Sequence, residues 1–248
     1  MPWRVATLAA VSILVVTGTG TGVGKTVVTA AVAALAAARG ARVAVVKPAQ
    51  TGVGPDEPGD LDDVRRLAAV TDLHEHARFP DPLSPAAAAR RAGVPPVDLQ
   101  TSAVRLRDLA ADRDLVLVEG AGGLLVRYDE EGATIADLAH ALAAAVLVVV
   151  DPALGTLNHT ALMLEAMAHR GLSLAGVVIG AWPAEPDLAC RSNVRDLETL
   201  AARPLAGALR AGAGTLDAAE FLLAARTGLA PALGGTFDAA DFRRADHR

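Results

Sequence analysis

Residues 18–26 contain the residue types and spacing of a phosphate-binding loop, Gly-Thr-Gly-Thr-Gly-Val-Gly-Lys-Thr. The glycines allow successive backbone N–H groups to point inward, and the N-terminus of a following helix adds partial positive charge. Lys25 would then reach the β- and γ-phosphates of a nucleoside triphosphate, and the Thr26 hydroxyl would bind Mg²⁺. The spacing is slightly irregular, because Thr19 occupies the usual place of the first glycine and Gly18 precedes it.

A second lysine, Lys47, ends an apolar run and opens the sequence Lys-Pro-Ala-Gln-Thr-Gly at 47–52. Of the 23 lysines and arginines, only Lys25 and Lys47 are lysines. Since lysine is a compact point charge and arginine a bulky planar fork, we interpret both as positions that need a small cation. Lys47 would neutralise charge that builds on a transferred phosphoryl group, and Thr51 would hydrogen-bond a substrate.

Carboxylates that could complete a metal site follow at two places. Glu119 ends an apolar run directly before Gly-Ala-Gly-Gly at 120–123, where a strand end would bring it to the ligand crevice. In the cluster of Asp60, Asp62 and Asp63, one residue could complete the metal shell. For Asp62 and Asp63 we favour a second interpretation, acids that stabilise a helix N-terminus.

The histidines of this chain are weaker candidates for the functional site than the lysines and carboxylates. His74 and His76 lie in a polar stretch, where we expect a loop, with no third ligand nearby. We therefore expect no metal site there. His159 stands at a predicted helix start, and we expect a structural role for it.

The elements that must position these residues alternate along the chain. Six apolar runs predict strands at 12–17, 42–47, 115–119, 145–150, 174–180 and 204–209. Eight helical stretches are predicted at 25–39, 60–70, 84–91, 98–111, 134–143, 158–170, 187–202 and 216–226. The strand runs are continuously apolar, which is typical of strands buried on both faces. The sequence therefore predicts an α/β fold of the P-loop NTPase type, doubly wound, with a mainly parallel sheet flanked by helices in a single domain.

The length and composition of the chain indicate how it divides into a domain and termini, and which kinds of partner it binds. We assign 11–226 to the domain, 1–10 to a disordered leader and 227–248 to a weakly patterned C-terminal tail.

A net charge of -5 and 3% aromatic residues argue against a nucleic-acid surface. The single cysteine, Cys190, excludes an internal disulfide framework and fits a reducing compartment. The longest apolar runs are too short to span a bilayer as a helix. We expect a cytoplasmic protein without nucleic-acid or membrane partners.

Four motifs together resemble the dethiobiotin synthetase family, which belongs to biotin biosynthesis. They are the phosphate-binding loop, Lys-Pro-Ala-Gln-Thr-Gly, Val-Glu-Gly-Ala-Gly-Gly and Leu-Gly-Thr-Leu-Asn-His, in this order between residues 18 and 159. The resemblance extends more weakly to about residue 225. It implies a cyclo-ligase that joins 7,8-diaminopelargonic acid and CO₂ at the expense of ATP. A carbamate and then a carbamic-phosphoric anhydride would precede dethiobiotin, ADP and phosphate. It also implies Mg²⁺ as cofactor and a homodimer.

The resemblance assigns roles residue by residue. Lys25 and Lys47 match catalytic lysines, and the metal ligands match Thr26, Asp60 and Glu119. Nucleotide contacts are implied at Gly22, Val23, Gly24, Lys25, Thr26, Val27, Asp60, Glu119, Gly120, Ala121, Gly122, Gly180, Ala181, Arg210, Ala211 and Gly212. Substrate contacts are implied at Thr51 and, for the carboxylate tail across a dimer interface, at Gly155, Thr156, Leu157 and Asn158.

Two positions depart from the family pattern on the side of the nucleobase. Gly180 stands where some relatives place an asparagine that can read adenine, and Arg210 stands where a proline is common. Loss of one bidentate base contact removes discrimination, so we expect other nucleoside triphosphates to support turnover within about tenfold of ATP. In the alternative interpretation, the backbone groups of Gly180 and Ala181 still read adenine.

Two other functions share parts of this pattern. A nucleotide-switched ATPase of the partition type would carry an additional signature lysine early in the loop, where this chain has Gly20. An ATPase domain of the cobyrinic acid amidating type would need a glutaminase domain, for which 248 residues leave no room.

Overall fold

The central strands of the molecule are buried and mostly apolar because helices cover both faces of the sheet. The computed structural model describes residues 13–245, so the predicted leader and the last three residues of the predicted tail lie outside the described residues. Every residue of the strands Ile13–Gly18 and Ala145–Val150 is buried. The predicted doubly wound α/β fold is confirmed.

Seven strands form the main sheet. They are β1 (Ile13–Gly18), β2 (Val43–Lys47), β4 (Leu73–Glu75), β6 (Leu115–Gly123), β7 (Ala145–Val150), β8 (Leu174–Trp182) and β9 (Gly207–Arg210). Their order is β4-β2-β6-β1-β7-β8-β9, and all neighbouring pairs are parallel. The carboxyl ends of the strands therefore meet along one edge, with β1 near the centre. A small second sheet pairs β3 (Gln50–Thr51) with β5 (Arg78–Phe79).

Nine α-helices occur within residues 13–245. They are α1 (Lys25–Ala37), α2 (Asp60–Ala68), α3 (Pro85–Ala92), α4 (Leu99–Ala111), α5 (Ile135–Ala141), α6 (Thr156–His169), α7 (Leu188–Ala201), α8 (Ala218–Gly228) and α9 (Ala239–Ala245). Helices α1, α2 and α8 pack on one face of the sheet, and α3 to α7 pack on the other. Among the helices of residues 13–245, none combines the length and the apolar character that a membrane crossing requires.

The structure differs from the sequence predictions at several element boundaries. His74 lies in the short strand β4, where we expected a loop, because β4 pairs in register with β2. Helix α6 begins at Thr156, two residues before its predicted start, since Gly155 with a φ of 99° supplies the turn before it. The last strand occupies Gly207–Arg210 and not the predicted 204–209.

The segment after α8 packs on the rest of the domain. Leu229 forms an antiparallel bridge with Gly207 of the edge strand β9. The ring of Phe242, in α9, lies edge-on to Trp182 with 5.0 Å between ring centroids, and Phe237 lies 5.2 Å from Phe242. The edge of the sheet is thereby covered.

Candidate active site

The phosphate-binding loop connects β1 to α1 at the centre of the sheet edge. Gly22 and Gly24 have φ values of 78° and 93°, which favour glycine. Gly24 precedes the first helical residue, Lys25, and no side chain caps this helix. The N–H groups at the start of α1 are therefore available to an anion. The Lys25 ammonium donates to the Gly20 carbonyl at 2.8 Å, so it lies over its own loop.

The end of β8 lies directly against this loop. A Cβ atom added at Gly180 would lie 1.9 Å from the Val23 carbonyl oxygen, and one at Gly24 would lie 2.8 Å from the Gly180 carbonyl oxygen. Neither position accepts a side chain while the loop keeps this conformation. From the sequence we interpreted Gly180 only as the absence of an asparagine side chain. In the structure, this glycine permits the backbone of β8 to approach the backbone of the phosphate-binding loop closely.

Lys47 occupies the centre of a buried ionic cluster at the end of β2. Its ammonium lies 2.5 Å from Asp60 Oδ2 and 2.8 Å from Glu119 Oε1. It also donates to the Gly120 carbonyl at 3.3 Å. Three elements, β2, α2 and β6, bring these groups together from positions up to 73 residues apart in sequence.

The charges of this cluster are fixed by one another. Burial by itself would lower the pKa of Lys47, but the attraction of Glu119 and Asp60 outweighs it and raises the pKa. Burial would likewise raise the pKa of Asp60, and the attraction of Lys47 outweighs it and lowers the pKa. Burial and the nearby charge of Lys47 lower the pKa of Lys25. The ammonium groups of the two lysines thus lie near the carboxyl groups of Asp60 and Glu119 in a site that is largely buried from solvent.

Thr26, Asp60 and Glu119 form a set of oxygen ligands that fits Mg²⁺. Thr26 Oγ1 donates to Glu119 Oε1 at 2.9 Å. Glu119 is fully buried, and its other carboxylate oxygen, Oε2, has no hydrogen-bond partner within residues 13–245. Residues 13–245 contain no group of three or more His, Cys, Asp and Glu side chains that could hold a metal. Mg²⁺ commonly keeps several waters and takes only one or two carboxylates, so two carboxylates and a hydroxyl suffice.

A cavity of about 710 Å³ opens beside this cluster. Its lining includes the phosphate-binding loop, Lys47, Asp60 and Glu119. Thr51 lines the same cavity, as do Ala121 and Gly122 of the strand β6. The structure therefore brings most of the predicted phosphate residues, the three predicted metal ligands and one predicted substrate residue, Thr51, to one space of the size that small-molecule sites have.

Residues 155–158 lie elsewhere on the chain, at the start of α6, and do not line this cavity. The preceding residue, Leu154, is 89% exposed. The side chain of Thr156 is buried, and its hydroxyl has no partner within residues 13–245. This segment is therefore not part of the cavity wall in its own chain.

The predicted nucleobase residues lie at the ends of β8 and β9. Ala181 is exposed next to Gly180. Arg210, Ala211 and Gly212 line a second cavity of about 1070 Å³, whose walls include Trp182. Gly180 lies against Val23, so the end of β8 lies beside the phosphate-binding loop.

Two residues that support the site were not predicted from the sequence. Gln50 is buried, and its Oε1 accepts from the Asp60 N–H at 3.0 Å, which caps α2 because Gly59 has no side chain. The Tyr128 hydroxyl accepts from the Ala121 N–H at 2.8 Å. Gln50 lies inside the Lys-Pro-Ala-Gln-Thr-Gly motif, and this position in the sequence could have indicated its role. Tyr128 is the single tyrosine of the chain, but its sequence position gave no indication of this contact.

The remaining acids and histidines stay outside the cluster. Asp62 accepts from the Gly59 N–H at 2.8 Å and pairs with Arg65, and Asp63 pairs with Arg66, as expected at a helix N-terminus. His74 pairs with Asp72, and His76 lies 3.0 Å from Ser102 Oγ.

Comparison with known proteins finds relatives of high sequence identity. A family model described as an AAA domain matches residues 12–212. A protein of Parafrankia sp. (strain EAN1pec), named ATP-dependent dethiobiotin synthetase BioD, is 68% identical over 233 residues, 94% of this chain and 98% of the relative. A protein of the same name from Streptomyces coelicolor is 58% identical over 230 residues, 93% of this chain and 97% of the relative.

Solved structures with a similar fold are more distant. The septum site-determining protein MinD complexed with Mg-ADP from Pyrococcus horikoshii OT3 matches with a TM-score of 0.54 and 15% identity, over 84% of this chain and 88% of that chain. A ParA family ATPase from Chlorobium tepidum TLS matches with a TM-score of 0.51 and 14% identity, over 86% and 88%. At these identities the likeness shows the fold alone.

Proposed function

This chain belongs to the dethiobiotin synthetase family, and we propose that it closes the ureido ring of dethiobiotin. The substrates are 7,8-diaminopelargonic acid, CO₂ and ATP, and the products are dethiobiotin, ADP and phosphate. One amine of the diamine adds to CO₂ and loses a proton, which gives a carbamate. A carbamate oxygen takes the γ-phosphoryl group of ATP, and the second amine then attacks the carbamoyl carbon and expels phosphate.

The observation that carries this proposal is the Lys47 cluster at the wall of the 710 Å³ cavity. The ammonium is held by Asp60 and Glu119, so it stays charged and stays in place. A fixed cation beside the phosphate-binding loop is suited to both anions of the reaction, the carbamate and the γ-phosphate. Holding the two anions together is the main task of a phosphoryl-transfer site.

The nucleotide is proposed to bind with its phosphates at the start of α1. The N–H groups of residues 22–27 and the Lys25 ammonium would hold them. Thr26, Asp60 and Glu119 would hold Mg²⁺, which when bound supplies further neutralisation of the β- and γ-phosphates. The close approach of Gly180 to Val23 favours a base position between residues 180–181 and 210–212.

The diamine is proposed to lie in the cavity near Thr51, with its carboxylate at the α6 N-terminus of a second copy of the chain. Gly155, Thr156, Leu157 and Asn158 do not line the cavity of their own chain, which favours a homodimer with shared sites. Leu154 at 89% and Leu162 at 58% exposure lie on or next to the same helix. Their burial would contribute to such an interface.

Product detection tests the proposed reaction. Mass spectrometry of a mixture of protein, diamine, ¹³C-bicarbonate, Mg²⁺ and ATP should show dethiobiotin with one ¹³C. Omission of the diamine should stop ADP formation as well as product formation. ATP hydrolysis that continues unchanged without diamine, with no labelled product, would overturn the proposal and support a nucleotide-switched ATPase.

The dimer has its own test. Light scattering across the protein concentrations used for kinetics should give the mass of two chains. Leu154→Asp should shift the mass to one chain and lower turnover. Val104→Asp, at an exposed residue of α4 that lines neither cavity, serves as the matched control. A fully active single chain would rule out shared sites.

The other functions considered have weaker support. The partition-type alternative rests on fold likeness at 14–15% identity, and the signature lysine is replaced by Gly20. We place the reaction in the cytoplasm because it consumes ATP and because Cys190 is a free thiol. The proposed partners are small molecules and a second copy of the chain.

A further inference from the structure

The segment between β7 and α6 is held by a side chain from another helix. Asn193, in α7, is 5% exposed. Its Nδ2 donates to the Pro152 carbonyl at 2.8 Å and to the Ala153 carbonyl at 3.2 Å. These two carbonyls precede the first turn of α6. One buried amide thus fixes two successive peptide groups across 40 residues of sequence.

The same segment presents donors that no group of residues 13–245 uses. The Leu157 and Asn158 N–H groups have no acceptor there, and the Thr156 hydroxyl is buried without a partner. The Thr156 N–H donates to the Ala153 carbonyl at 3.1 Å, the carbonyl that Asn193 also holds. The Ala153 carbonyl thus accepts hydrogen bonds both from Asn193 and from the first residue of α6.

We propose that Asn193 is a positioning residue for the carboxylate of the diamine substrate. The inference rests on the proposed function, in which the start of α6 receives that carboxylate. Asn193 does not touch the substrate; its amide holds residues 152–153 so that the free N–H groups of α6 point at one place. Anion binding at a helix N-terminus depends on this alignment of N–H groups.

The variants Asn193→Ala and Asn193→Asp separate this role from general stability. Alanine removes the amide group. Aspartate has nearly the same size, but its carboxylate oxygens cannot donate hydrogen bonds to the Pro152 and Ala153 carbonyls. Both should raise the KM for 7,8-diaminopelargonic acid by roughly tenfold, the effect of one misplaced charge-assisted hydrogen bond. The kcat and the KM for ATP should stay within about twofold of wild type. Ser192→Ala, its exposed neighbour on α7, is the matched control.

The decisive readout is a second substrate, 7,8-diaminononane, which lacks the carboxylate. For this diamine, kcat/KM of Asn193→Ala should equal that of wild type. An equal loss with both diamines, or no loss with either, overturns the positioning role. Thermal unfolding identifies a variant that does not fold. If Asn193→Ala does not fold, the two diamines are compared with Asn193→Asp and wild type. Absence of cyclic product from wild type with both diamines would instead overturn the proposed function itself.

Discussion

Replacement of Lys47 by methionine is the perturbation for which the structure gives the clearest magnitude. Methionine has a similar length and no charge, so the change removes the ammonium and leaves the packing nearly unchanged. Asp60 and Glu119 then face each other without the cation that lies 2.5 Å and 2.8 Å from them. Glu119 is fully buried and keeps its hydrogen bond from the Thr26 hydroxyl.

Removal of one partner from a buried ion pair costs about 3–5 kcal/mol. The Asp60 side chain is 33% exposed, so solvent screens part of the effect and the lower end applies. We therefore expect a loss of about 3 kcal/mol, which lowers Tm by roughly 6–12 °C for a chain of this size. Turnover should fall by about 10²–10³, because a preorganised charge at the phosphoryl oxygens is lost.

Two further variants identify the cause of the loss. Lys47→Met combined with Glu119→Gln should recover part of the stability, since one uncompensated charge is gone, and should not recover turnover. Lys47→Arg keeps the charge but places a guanidinium where the two short contacts leave room for an ammonium. The assays are urea unfolding and coupled ADP release. A Lys47→Met protein as stable as wild type, or a folded Lys47→Arg protein with normal turnover, would refute the reasoning.

Four other predictions follow from the same structure. Glu119→Gln should raise the Mg²⁺ concentration for half-maximal activity by about tenfold or more, measured by Mg²⁺ titration; an unchanged requirement contradicts the metal assignment. Gly180→Ala should raise the KM for ATP and destabilise the fold by about 1–3 kcal/mol, because its Cβ would lie 1.9 Å from the Val23 oxygen; normal nucleotide kinetics would show that the loop yields. Side-chain and backbone hydrogen bonds from Arg42 lower the pKa of Asp114 to about 2, from 3.8, so its stabilisation is present above pH 4 and lost as the pH falls to 2. Asp114→Asn should accordingly lower Tm at pH 6, and the difference from wild type should shrink between pH 4 and 2 in calorimetry. The kcat/KM values for GTP and CTP should lie within about tenfold of that for ATP, and a preference for ATP above about a hundredfold would refute weak selectivity.

Much of the fold was predictable because burial on both faces leaves a clear trace in sequence. Strands such as β1 and β7 are continuous apolar runs, and each is followed by a glycine-rich or polar turn. Lys47 and Glu119 end two such runs, and parallel strands end at the same edge of a sheet. Their proximity therefore followed from local pattern and one topological rule.

Other features depend on contacts that local pattern does not encode. Strand β4 has three residues and contains His74, and its pairing with β2 makes it a strand. Helix α9 has seven residues and packs through Phe242 on Trp182, which is distant in sequence. The Asn193 contact spans 41 residues and uses a side chain that is ordinary on any helix. The order of the strands likewise comes from tertiary packing.

The proposed reaction passes through a phosphorylated carbamate, and label transfer from CO₂ tests that step most directly. Protein, diamine, Mg²⁺ and ATP are mixed with C¹⁸O₂ in unlabelled water, and the reaction is stopped before the label exchanges with solvent. We expect dethiobiotin with ¹⁸O in the ureido carbonyl and inorganic phosphate with one ¹⁸O, because the phosphate leaves with a carbamate oxygen. Unlabelled phosphate together with ADP formation would contradict the account, since the γ-phosphoryl group would then have passed to water.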